Sequence, residues 1–371
     1  MNRSHHRSHQ SSHDGTRHGR RFGPIVGLAM LWAASACVVA PPPGAEGEGE
    51  GEGEGEVPSC DDPVLGGFEL QPGYVVIESA PVPADITSAA ISSASGGPAR
   101  LFAMGADLIV YDLGAWPALT DARAPLFDVL TTADEALAPG SEAFASFLVV
   151  DGAAAATGYT RLSDYGGAVG KHAVSESYDA WLDAPANFSA TILGDLLLVN
   201  GAGLDDAHDG LGVYGWSEDA RFLVATLGAS ATGSGYLAAT ADGVVVAGRY
   251  TTKNELFAVG PAELAARLAG GDVIDLDAGT PILTGSFGAL AGFGAAVAAL
   301  TYDPVSFATT GLVDVALPVS NGTVTAGSAV AVLQLREGCT TAIPFVSPHD
   351  GDVLVGVTSG GGTRAVRIAR Q

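Results

Sequence analysis

The sequence predicts an all-β fold, a ring of repeated antiparallel sheets of the β-propeller kind, on three observations. Short apolar runs rich in Val, Leu, Ala and Thr recur from Cys60 onward. Asp and Gly punctuate them near positions 107, 151, 195, 243, 303 and 352, so a similar unit returns every ~45–60 residues. Long helical periodicity is nearly absent. A two-residue Asp-Gly between apolar runs is a strong hairpin signal, because both residue types tolerate the positive φ of a tight turn.

The clearest unit is the apolar run 235–241, the turn Asp242-Gly243, the run 244–250 and a third run, 255–259. Similar units pivot on Asp151-Gly152, on Gly194-Asp195 and on Asp350-Gly351, and looser ones centre on Asp107 and Asp303. Six units predict six blades over residues 60–371. A lone blade has a half-bare apolar face and an open edge; closing a ring covers the faces. The early run 73–77 is expected to complete the last blade. One short helix is expected at 261–269. Pro261 suits a first helical turn, Glu263 and Arg267 are four apart, and Gly270-Gly271 ends it. No Trp-Asp signature, Asp box or Kelch glycine pair aligns, so no named propeller family is assigned. A pair of β-sandwiches and an irregular β-solenoid are the competing architectures. Residues 278–302 carry no charge and are long enough to span a bilayer, but their alternating Gly, Ala, Ser and Thr and the lack of flanking Lys or Arg make buried strands with a turn the adopted reading.

Charge narrows the partners. The 371 residues carry 41 Asp and Glu against 17 Lys and Arg, a formal net charge of −24. Five of the arginines precede residue 22, so the remainder is more acidic still. Such a surface repels phosphate backbones and anionic lipid, which argues against nucleic acid as a partner. It keeps the protein soluble, and it would suit cations or basic partners.

The first 59 residues read as delivery and tether. Residues 1–21 are basic and His-rich, and residues 22–36 form an uncharged apolar run, the size of a signal-peptide core. Ala34, Ser35 and Ala36 stand directly before Cys37. This resembles the lipobox of bacterial lipoproteins, in which an aliphatic and two small residues precede the lipidated cysteine. The resemblance implies a signal peptide at 1–36 and a diacylglycerol thioether on Cys37. It also implies an acyl chain on the new N-terminus. One chain anchors marginally, two or three stably. Val38 rather than Asp follows, which in that family points to the outer membrane. An uncleaved signal anchor over the uncharged run 22–40 stays open. Pro41-Pro42-Pro43 then stops regular structure, and Glu-Gly alternation runs from Glu46 to Glu56. Flexible glycines and like charges make 37–59 an expected disordered linker. If Cys37 carries lipid, Cys60 and Cys339 are left as an even pair in an exported chain, which predicts a disulfide between them. Two buried free thiols are the other reading.

Candidate chemistry is sparse. In the acidic segment 204–210, Asp205 and Asp209 fit oxygen positions of a calcium loop, but Ala207 and Trp216 stand where further ligands are needed. The segment reads as an acidic turn, with calcium as a weak alternative; no other cofactor is expected. His172, His208 and His349 fall in three different units, and a zinc site would need all three at one end of the ring. Ser347, His349 and Asp350 sit close in sequence, yet no Gly-x-Ser-x-Gly elbow accompanies them. The expected function is a lipid-anchored, extracytoplasmic binding or scaffold module for a protein or glycan ligand. The alternative is a propeller hydrolase or lyase on polysaccharide or lactone, with an acidic or metal site in the central channel.

Overall fold

In the computed structural model of the protein the described residues are 60–92, 97–120, 123–129, 143–152, 154–161, 167–173, 180–183, 187–201, 210–215, 221–226, 234–249, 255–279 and 281–371. They belong to one compact unit, Glu56–Gln371. The leader, the tether, Cys37, Asp205, His208 and Asp209 lie outside the described residues.

The fold is an all-β propeller built of six sheets of four or five strands. Sheet 1 is Ile86–Ser92, Arg100–Gly105, Ile109–Ala115 and Ala124–Asp128. Sheet 2 is Ala143–Asp151, Ala154–Arg161, Gly167–Ala173 and Ala180–Asp183. Sheet 3 is Asn187–Leu193, Leu196–Gly201, Gly210–Gly215 and Arg221–Thr226. Sheet 4 is Ser234–Ala239, Val245–Arg249, Glu255–Val259 and Leu283–Thr284. Sheet 5 is Phe287–Phe293, Ala296–Tyr302, Thr309–Ala316 and Ser328–Leu335. Sheet 6 takes Val346–His349, Asp352–Ser359 and Gly362–Arg370 from the C-terminus. Within each sheet these strands pair antiparallel with their sequence neighbours. The first strands of successive sheets touch in a closed circuit, sheet 6 returning to sheet 1.

The ring is held by apolar packing between sheets. Each of the six clusters of buried side chains straddles one neighbouring pair. Strand 196–201 shows how the sequence writes this. Leu197 and Val199 pack toward sheet 2, whereas Leu198 packs toward sheet 4. A strand covered on both faces reads as a continuous apolar run rather than an alternating one. Near the axis the first strands approach closely and small residues are required. A Cβ on Gly292 of sheet 5 would lie 2.2 Å from the carbonyl oxygen of Ala239 in sheet 4. Serines make further cross-links. Ser347 Oγ donates to the Ala89 carbonyl at 2.6 Å, Leu148 N donates to Ser88 Oγ at 3.0 Å, and Leu237 N donates to Ser189 Oγ at 3.1 Å.

The two N-terminal strands complete the last two sheets. Tyr74–Val82 is the outer strand of sheet 6, antiparallel to Gly362–Arg370 from Tyr74↔Arg370 to Val82↔Thr363. It takes up residues 74–77 of the early run, as expected for a strand that closes the ring. Phe68–Leu70 adds a fifth strand to sheet 5, with Phe68 opposite Leu335 and Leu70 opposite Leu333. Just before it, Cys60 is joined to Cys339, with Cα atoms 5.5 Å apart across a sequence separation of 279.

The helix forms over Pro261–Leu268, buries Leu264, and has its first turn fastened by Gly260 N donating to Glu263 Oε2 at 2.8 Å. The segment after it reaches back to sheet 3, where Ile274–Asp275 pairs parallel with Arg221–Thr226. On its other side Gly260 abuts the hairpin Val319–Ser320/Thr323–Val324: a Cβ there would lie 2.1 Å from Gly322 O. The excursion thus clasps sheets 3, 4 and 5 together at the rim.

One sequence expectation needs correction, and one is borne out. The turns at Asp151, Asp195, Asp242 and Asp350 join first strands to second strands, but those at Asp107 and Asp303 join second strands to third. Asp chemistry serves either hairpin, so the spacing mixes two kinds of turn. Residues 278–302 form strand Leu283–Thr284 of sheet 4 and the hairpin that opens sheet 5, not a membrane span. Among the described residues no helix is long and apolar enough to cross a membrane.

Candidate functional site: the seam of the ring

Among the described residues, several paired charged side chains lie at the seam between sheets 5, 6 and 1. Strand Gly362–Arg370 is buried on both faces yet carries three arginines. In so acidic a chain each of them has carboxylates or hydroxyls to hold. Arg370 reaches into sheet 5, its Nε and Nη2 donating to the two oxygens of Asp314 at 2.6 and 2.8 Å. Its Nη1 donates to the Phe293 carbonyl at 2.8 Å, and the guanidinium lies 3.9 Å over the Phe293 ring. Tyr74, on the closing strand, donates its hydroxyl to Asp314 Oδ2 at 3.0 Å. Burial first, and the hydrogen bond to Asp314 next, push the Tyr74 phenol up to about 12. The Asp314 carboxylate likewise raises the pKa of Arg370.

Arg367 points to the opposite face, as strand alternation requires. Its Nε and Nη2 donate to Asp352 Oδ2 at 2.8 and 2.6 Å, and its Nη1 stands 3.7 Å from Glu78 of the closing strand. Glu78 Oε2 also accepts from Trp116 Nε1 of sheet 1 at 2.6 Å. Arg364 donates to Ser79 Oγ through Nε and Nη2, at 2.9 and 2.6 Å. The closing strand is therefore tied by side chains to the strand it pairs with, to sheet 5 and to sheet 1.

His349 ends the first strand of sheet 6 and is 7% exposed. Its Nε2 stands 3.8 Å from the carboxylate of Asp350. Burial outweighs that neighbour and holds the imidazole below its ordinary 6.5, with Arg367 adding to the depression. The unfolded chain therefore binds the proton more readily. The contribution of neutral His349 to stability is complete above about pH 6.5 and is lost as pH falls through the lower folded value. Urea unfolding followed from about pH 7.5 to about pH 5 should show a falling midpoint, and His349→Gln should flatten that slope. An unchanged slope would remove His349 from the account.

A further polar group lies in sheet 1. Arg123 donates to Asp85 at 3.1 and 2.9 Å and lies 4.3 Å over the Tyr111 ring, whose hydroxyl donates to Asp107 at 2.9 Å. Burial, then Asp107, raises the Tyr111 phenol.

The structure brings Cys60 and Cys339 together and separates most of the other candidates. His172 is on sheet 2 and His349 on sheet 6. Ser347, His349 and Asp350 do not form a relay, because Ser347 Oγ donates to Ala89 O. Among the described residues no group of three or more His, Cys, Asp or Glu is placed to hold a metal ion. Sequence reasoning missed Tyr74, Asp314, Arg367 and Arg370. The signal that could have found them is an arginine inside a strand apolar on both faces.

A six-sheet β-propeller sewn shut by strands from both termini is the class this architecture defines. No family model matches the chain, and no curated protein matches it. Solved structures do. A protein of Thermus thermophilus, provisionally called an oxidoreductase (glucose dehydrogenase), is 11% identical, with a TM-score of 0.53 over 81% of this chain and 100% of its own. A provisionally assigned TolB from Agrobacterium tumefaciens is 13% identical, with a TM-score of 0.41 over 76% of this chain and 89% of its own. The first of these likenesses shows a shared fold and nothing of chemistry.

Proposed function

We propose that this protein is a bacterial lipoprotein, held outside the cytoplasm through lipid on Cys37, whose propeller is a binding or scaffold module for a protein or glycan ligand. The observation that carries the reading is Ala34-Ser35-Ala36-Cys37 at the end of an uncharged run and before a Pro- and Glu-Gly-rich tether. The Cys60–Cys339 bond supports it, because disulfides persist in oxidising, extracytoplasmic compartments. The arginines and aromatic groups of the seam support a module rather than an enzyme. They are engaged in holding the closing strand, with Tyr74 and Arg370 both bound to Asp314. The outer membrane, facing periplasm or cell surface, is the proposed location.

Metabolic labelling with a radioactive fatty acid tests the anchor. Wild-type protein should take up label and sediment with membranes, and Cys37→Ser should do neither. Equal labelling of both would sink the reading.

A further inference from the structure

The residues that close the ring form a detachable arm. Residues 60–82 hold no strand that pairs with another strand of the same arm. Phe68–Leu70 pairs with Ser328–Leu335, and Tyr74–Val82 pairs with Gly362–Arg370. The side chains of Tyr74, Glu78 and Ser79 also bond elsewhere, to Asp314, Arg364, Arg367 and Trp116. A short connection with Pro83 leads from the arm to sheet 1, which begins at Ile86. Each of these contacts would be equally well made to the same residues of a second copy. An arm anchored by buried Phe68, Ala80 and Val82 leaves apolar sites behind if it departs. Exchange between two molecules refills those sites, which is the condition for strand swapping.

One bond forbids the exchange. Cys60, at the N-terminal end of the arm, is covalently joined to Cys339 of the body. The arm then passes tightly between two body segments. A Cβ on Gly66 would lie 2.6 Å from Ser359 Cβ, and one on Gly67 would lie 2.8 Å from Cys339 Cβ. Both glycines have positive φ, 56° and 89°. We propose that the Cys60–Cys339 disulfide is a lock on strand exchange: intact, it confines the arm to its own ring; reduced, it lets two copies trade arms and form a reciprocal dimer. A dithiol supplies the chemistry. Its two thiols give up two electrons and two protons to become a disulfide, and the Cys60 and Cys339 sulfurs become thiols. The proposal does not depend on lipid at Cys37.

The test uses the full chain with Cys37→Ser throughout, so that only Cys60 and Cys339 remain. One protein also carries Cys60→Ala and the other Cys339→Ala. The two are mixed at high concentration, incubated, and oxidised with oxidised glutathione. Arm exchange places Cys60 of one copy beside Cys339 of the other, so a linked dimer should form several-fold more in the mixture than in either protein alone. The chain with both cysteines, treated with dithiothreitol and concentrated, should double its mass by light scattering, and the oxidised sample should not. If the reduced protein stays monomeric with unchanged circular dichroism, or if the mixture yields no more linked dimer than its components, the lock is overturned. If the single-cysteine proteins do not fold, the reduction experiment decides alone.

Discussion

Phe68→Ala is expected to destabilise the protein by about 3–5 kcal/mol, the range for truncating a buried aromatic. Phe68 is fully buried. It fills the cluster between sheets 5 and 6, against side chains that include Leu312, Val355 and Ile368. The residue sits on the shortest pairing of the closing arm, which spans Phe68↔Leu335 to Leu70↔Leu333. Its ring, rather than its backbone hydrogen bonds, fastens the arm to sheet 5. Urea unfolding of the oxidised protein measures the effect as a lower midpoint at an unchanged slope. Val75→Ala supplies the contrast. Val75 is 36% exposed on the outer strand, and its truncation should fall within ~0.5 kcal/mol. Equal losses for the two would mean that the arm is not held by the interior of the seam.

Asp314→Ala should be the most damaging polar change, at about 1–3 kcal/mol. It removes the acceptor of two Arg370 hydrogen bonds and of the Tyr74 hydroxyl together. Full burial would place the loss higher, but the Arg370 side chain is 38% exposed, and solvent screens the charge left behind. The change has a spectroscopic signature that a merely loosened fold would not give. Tyr74 ionises at about 12, above its ordinary 10.0. The raised value means that its protonated form stabilises the fold below about pH 10, a contribution lost as pH rises through about 12. Without Asp314 the second cause of that elevation disappears and burial remains. Ultraviolet titration of tyrosinate should then show one phenol moving down toward 10 while staying above it. Arg370→Lys is a useful companion. It keeps the charge but loses the paired, planar grip on the carboxylate and the stack on Phe293.

The sheets were legible because strand period and turn chemistry are local. Apolar runs such as 196–199 and turns such as Asp350-Gly351, whose φ values are 48° and 81°, announce themselves within a few residues. The helix was legible for the same reason, from Pro261, Glu263 and Gly270. What stayed hidden depends on partners distant in sequence. Tyr74 and Asp314 are 240 residues apart, and Arg364 and Ser79 are 285 apart. Nothing near any of them names its partner. The Cys60–Cys339 pairing is the exception, because the expectation of lipid on Cys37 left only that pair. Nor could spacing separate the two kinds of hairpin. The turn at Asp107 continues into Tyr111 and Arg123 and belongs to the polar group of sheet 1, not to a first hairpin. The glycines at 260, 292 and 322 were equally silent. Their reason is a neighbouring backbone or side chain two ångströms or so away, in another sheet or at the rim.

The placement of the closing strand also sets a timetable. Tyr74–Val82 leaves the ribosome well before its partner Gly362–Arg370, because the strands of five sheets lie between them in sequence. The strand must therefore wait, unpaired and with Ala80 and Val82 uncovered, until Gly362–Arg370 has been delivered. Contacts so distant in sequence form late and slowly. A molecule synthesised only as far as sheet 5 thus carries the closing strand with nothing to close against, and loss of residues within Gly362–Arg370 would strip that strand of its place.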